Sequence, residues 1–217
     1  MKIHPISRGE LWLAQGALFM AILLQIGVWA VNPELTYGPH NLILITEVAL
    51  SVIIGLSAGQ RHKRMGGPYR LLSFLLLGLI SLANITSFFL VAQLLVFTDK
   101  VVSGRELLVS ALAIFLTNII VFALWYWEID SPGLSGSKWS RHDKDFQFVQ
   151  QDLGKDFRNW QPKFIDYFYL SLTNAINFAA ADTRPITPQA KSLMGTQALV
   201  SVFILALVLA RSVSILN

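Results

Sequence analysis

Apolar positions along this chain gather into long continuous blocks separated by short polar links, without the two-residue alternation of a strand or the single stripe of a surface helix. Five blocks, Leu11–Val31, Asn41–Gly59, Leu71–Phe97, Leu107–Trp127 and Gln189–Ser214, reach the length needed to cross a bilayer, about 20 residues for a hydrocarbon core of roughly 30 Å. The block Phe164–Ile176 is shorter. As a helix it reaches about 20 Å at 1.5 Å per residue, so it enters such a core without crossing it. The pattern predicts an all-α, polytopic helical membrane protein with five transmembrane helices and one re-entrant helix. Six full spans, with Phe164–Ala181 crossing, is the alternative.

The links sharpen the boundaries. Leu11–Val31 follows Lys2 and Arg8 as a signal peptide's core would, but it is longer than such cores and no small-x-small cleavage pattern follows, so it reads as a retained span. Gly66-Gly67-Pro68 punctuates the link before the third block, whose length predicts tilting or protrusion. The fourth block closes on Trp125-Tyr126-Trp127-Glu128. Rings of this kind settle at headgroup level, which puts Glu128 at the interface as an acidic residue. In the polar segment 129–163, Phe146, Val149, Leu153, Phe157 and Trp160 recur at helical spacing behind a Ser140/Asp143 capping box, predicting an amphipathic surface helix. Thr187 as N-cap and Pro188 at the first helical position open the last helix. The chain thus divides into a four-span region (1–128), a polar loop (129–163) and a C-terminal module (164–217).

Composition agrees with this class: 54% hydrophobic, 14% charged and mean hydropathy +0.55. The net charge of +4 is modest and no aromatic-basic groove pattern accompanies it, which argues against a nucleic-acid partner. Charge is informative in its distribution. With the N-terminus, the Gln60–Arg70 link (Arg61, Lys63, Arg64, Arg70) and the 129–163 segment on one side, 12 of the 17 cations share that side, and the positive-inside rule makes it cytoplasmic. Six spans would keep 13 of 17 there, so charge does not separate the two topologies.

Catalytic chemistry finds little support. Gly55-Leu56-Ser57-Ala58-Gly59 matches a nucleophile-elbow string, but it sits in a hydrophobic helix, and His4, His40, His62 and His142 all fall in links or tails. Gly55 and Gly59 instead fit small-xxx-small helix packing. With no cysteine and no ligand-spaced His or acidic cluster, no catalytic residue, metal site or cofactor is assigned, and the chain is not expected to be an enzyme. Glu47 is the sharpest intramembrane signal. A carboxylate inside a span implies a pathway or a hydrogen-bonding partner, with Asn84, Gln93 and Asn118 as candidates. Those amides, with Gln15, Gln25 and Gln197, otherwise read as interhelical hydrogen bonds.

The stretch DYFYLSLTNAINFAAADTRPITPQAK, followed by a long helix, resembles the pore helix, filter and inner helix of the tetrameric cation-channel superfamily. Asp182-Thr183-Arg184-Pro185 matches the Asp-x-x-Pro after the potassium-channel filter, and counting back puts Asn177, Phe178, Ala179, Ala180 and Ala181 at the filter positions, preceded by the polar Thr173 and Asn174. The resemblance implies a homo-oligomer, a tetramer by analogy, passing monovalent cations across the lipid bilayer. Filter glycines permit the positive-φ backbone that aims carbonyls at an ion, and alanine disfavours it, so potassium selectivity is not carried over. A side-chain-lined, weakly selective constriction with Asp182 at its rim is the expectation, and a plain turn packed by Ala179–Ala181 is the alternative. The whole chain also resembles uncharacterised bacterial multi-pass membrane proteins that share the Trp125–Asp130 ending and this C-terminus. That likeness implies a bacterial inner membrane and carries no activity; a non-conducting structural or accessory membrane protein that keeps the pore-loop shape is the alternative to conduction.

Overall fold

A computed structural model describes residues 8–31, 33, 40–57, 67–97, 104–130, 144–153, 160–178 and 182–216. The apolar blocks become helices: α1 (Arg8–Val31), α2 (His40–Ser57), α3 (Gly67–Phe97), α4 (Gly104–Asp130), α5 (Phe164–Asn177) and α6 (Pro188–Leu216). Four of them, α1, α3, α4 and α6, are long and apolar enough to cross a membrane, whereas the apolar part of α2, Leu42–Leu56, is shorter.

The bundle is built around α4, which packs against α1, α3, α5 and α6. Its burial explains why. Within its apolar window 67% of residues are buried, against 22–39% for the other three long helices, which turn most of their side chains outward. Two apolar cores stack along the bundle. One joins Leu18 and Ile22 of α1, Ile54 of α2, Leu76 and Ile80 of α3, Ile120–Trp127 of α4, and Phe164, Tyr167 and Leu170 of α5. The other joins Val28, Phe88, Val91, Leu107, Ile114 and Ile204. α5 contributes to the first core alone, which is the half of the bundle nearer the C-terminus of α4.

Phe146–Phe148 is not the amphipathic helix expected from its spacing. It forms strand β1, pairs antiparallel with β2 (Thr183–Pro185) in the register Phe146↔Pro185, Gln147↔Arg184, Phe148↔Thr183, and runs into the 3-10 turn Val149–Gln151. Phe146 and Phe148 are both buried with Gln147 between them, so alternation wins over the longer period once a partner strand is available. Ser140, Asp143 and Phe157 lie outside the described residues.

Candidate functional site

The region singled out by sequence sits where α4, α5 and α6 meet, and two devices hold it. At the C-terminus of α4, Asp130 Oδ1 accepts the backbone N–H of Asp145 and of Phe146 (3.0 Å), and Asp130 Oδ2 accepts the Tyr167 hydroxyl of α5. Asp145 extends the clasp: its carbonyl accepts Ile186 N–H at 2.8 Å and its carboxylate accepts the Thr187 hydroxyl. Thr187 Oγ1 accepts Ala190 N–H at 3.2 Å, the N-cap expected from sequence. Beneath the clasp the rings of Tyr126, Phe146, Phe148 and Tyr167 meet edge to face, with Tyr126–Phe146 centroids at 5.2 Å and Phe148–Tyr167 at 5.3 Å.

Deeper in the bundle, α5 turns a stripe of Phe164, Tyr167, Leu170, Ser171, Asn174 and Ala175 inward, the i, i+3, i+7 face of a helix. Gln197 of α6 is the hub. Its Oε1 accepts the Tyr126 hydroxyl and Asn174 Nδ2 (2.9 Å), and its Nε2 donates to Ser171 O (3.0 Å) and Oγ (2.6 Å). Asn174 also donates to Met194 O at 3.0 Å, Ser171 Oγ donates to Ile119 O at 2.7 Å, and Asn118 donates to Ser201 Oγ at 3.1 Å. Every one of these side chains is buried, so the network ties three helices together where no water competes.

Both ends of the α5 excursion lie at one end of the bundle. Phe164 meets Trp127 edge to face near the C-terminus of α4 (5.3 Å between centroids), and the returning strand β2 pairs with β1, which Asp130 caps. Among the filter candidates, Asn174 is buried in the network, and Thr173 hydrogen-bonds its own helix at Tyr169 O (2.9 Å) and Leu170 O (3.1 Å). Asn177, Phe178 and Asp182 are exposed, and Phe178 ends α5 at φ 57°, a left-handed conformation unusual for a residue with a Cβ. Ala179, Ala180 and Ala181 lie outside the described residues.

Glu47 on α2 is fully buried, and neither carboxylate oxygen has a hydrogen-bond partner among the described residues. The amides suggested for it are engaged elsewhere: Asn84 with Ile114 O (3.3 Å) and Asn118 with Ser201, while Gln93 is exposed. Glu128 is fully buried on α4. At Gly55 a Cβ would stand 3.3 Å from the Gln15 side chain of α1, which donates to Ser51 O (3.0 Å) and Oγ (2.7 Å). Gly59 lies outside the described residues. Among the described residues no cluster of three or more His, Cys, Asp or Glu side chains is arranged to hold a metal.

Sequence reasoning missed Asp130, Asp145, Tyr167 and Ser171, whose partners lie 15 to 52 residues away. Comparison with protein-family models, with curated proteins and with solved structures finds no match to this chain.

Proposed function

We propose that this is an inner-membrane protein in which α5 re-enters the bilayer, and that copies of the chain assemble into a weakly selective cation pathway. One observation carries it. α5 is half the length of its neighbours, contributes to only one of the two stacked cores, and has both its approach and its return tied to the C-terminal end of α4. A segment held in that way dips and returns. In this reading α2 is the fifth span, and the end carrying the clasp is cytoplasmic. Arg70, Lys144, Lys163, Arg184 and Lys191 lie there among the described residues, whereas Arg105 lies at the opposite end, in the sense of the positive-inside rule.

The chemistry of the pathway follows from what α5 leaves uncovered. Its C-terminal carbonyls form the negative end of the helix and favour a cation, and repeated copies of Asp182 strengthen that preference without a dehydrating filter. Asn177, Phe178 and Asp182 are exposed in the single chain, so any constriction they line is completed by neighbouring copies. The non-conducting alternative has its own support: Ser171 and Asn174 are satisfied entirely within the chain, as a purely structural half-helix would have them.

Flux from liposomes containing purified protein decides between them. Oligomeric wild type passes potassium and sodium with little discrimination, and Asp182→Asn reduces the flux. An oligomer without flux establishes the structural role, and a strictly monomeric particle ends the pore. The chain has no cysteine. A single one introduced at Asn217 is labelled from outside if α5 re-enters and from inside if it crosses.

A further inference from the structure

Between α1, α4 and α5 runs a cavity of about 470 Å³ lined by apolar residues alone, among them Leu13, Gly16 and Met20 of α1, Ile119 of α4, and Phe164 and Leu172 of α5. Its floor is sealed and its rim is open: Phe164 and Ile119 are 2% exposed, whereas Leu13 and Met20 are about half exposed. The groove exists because α1 turns small residues, Gly16 and Ala17, toward the short helix. A Cβ added at Gly16 would meet nothing within 4 Å.

We propose that this groove holds one acyl chain of an anionic phospholipid from the leaflet at the α4 C-terminal end, with its headgroup at Lys163. The proposal rests on the membrane placement given above. The dimensions select the occupant: along α1 the groove extends from Leu13 to Leu24, about 16 Å at 1.5 Å per residue, and one leaflet of a roughly 30 Å core contributes about 15 Å of hydrocarbon. Water gains no hydrogen-bond partner from such walls, so hydrocarbon fills the space. The headgroup sign comes from Lys163, exposed and immediately before the groove-lining Phe164. The nearby Asp166 carboxylate is turned onto the Lys163 backbone N–H at 2.7 Å, and Arg70, Lys144, Arg184 and Lys191 lie at the same end of the bundle. A phosphate at that level is attracted by juxtamembrane cations.

The full chain in mixed vesicles of phosphatidylcholine and phosphatidylglycerol, each lipid in turn carrying a photoactivatable acyl chain, tests this by mapping the labelled peptides. Label on Leu13–Leu24 and Phe164–Leu172 exceeds that on the outward-facing Leu82 and Phe203. Phosphatidylglycerol is preferred at low salt by about fivefold, the factor that one lysine near an anionic headgroup supplies. Gly16→Phe fills the groove and removes the excess, Gly16→Leu reduces it, and Gly27→Phe, equally free of neighbours but outside the groove, leaves it intact. Lys163→Gln keeps the chain label and loses the headgroup preference. Uniform labelling of all outward faces, or an excess indifferent to Gly16→Phe, overturns the proposal while leaving the membrane placement standing. Absence of label at Leu82 and Phe203 as well overturns both.

Discussion

Gln197→Leu removes the hub that joins α5 to α6 and α4 while nearly preserving its volume. The variant loses four hydrogen bonds: from Tyr126 and Asn174 to Oε1, and from Nε2 to Ser171 O and Oγ. Two neighbours keep partners and one does not. Asn174 still donates to Met194 O and Ser171 Oγ still donates to Ile119 O, whereas the Tyr126 hydroxyl keeps only the bond it accepts from Asn174 at 3.4 Å and loses the acceptor for its own hydrogen. The penalty of ~1–3 kcal/mol for a stranded buried group therefore applies once, at Tyr126. Interhelical hydrogen bonds within bilayers average ~0.6 kcal/mol, so the four lost bonds amount to about 2 kcal/mol and the total to about 3–5 kcal/mol. Equilibrium unfolding in mixed micelles measures this, and a cycle with Asn174→Leu isolates the direct bond as a coupling of about 0.6 kcal/mol. A destabilisation below about 0.5 kcal/mol, the range of an ordinary surface substitution, would refute the view that the network fixes α5 in place.

Glu47→Leu is expected to raise stability by about 1–3 kcal/mol, because the buried carboxyl has no hydrogen-bond partner among the described residues and leucine removes its desolvation cost; a loss of stability in the same unfolding assay would reveal a partner outside the described residues. Phe178→Gly relieves the left-handed backbone at the end of α5 and is expected to stabilise by about 1–2 kcal/mol, read as a higher unfolding midpoint. An unchanged midpoint would mean that packing of the Phe178 ring compensates the strain.

How much of this was legible in the sequence can be judged element by element. The helices fall within four residues of the apolar blocks, since length and apolarity alone decide whether a segment buries its backbone as a helix. The half-length of α5 and the Thr187 cap were equally local and equally readable. Gln15, Gln25 and Asn118 were correctly expected to bond between helices, as a buried amide must find a partner somewhere. Which partner it finds is not a local property: Asn84 and Asn118 were candidates for Glu47, yet each is spent on another helix.

The sequence by itself thus determined an all-helical, strongly apolar bundle and marked the short segment before the last helix as different from the rest. Tertiary structure decided that Phe146–Phe148 is a strand, because only the arrival of Thr183–Pro185 beside it offers the hydrogen bonds that outweigh its helical spacing. It likewise decided that Asn174 faces inward while Asn177 and Asp182 face outward. The rotation of α5 about its own axis is set by Tyr167 reaching Asp130 and Ser171 reaching Gln197, contacts between residues 26 and 37 positions apart that no local pattern encodes.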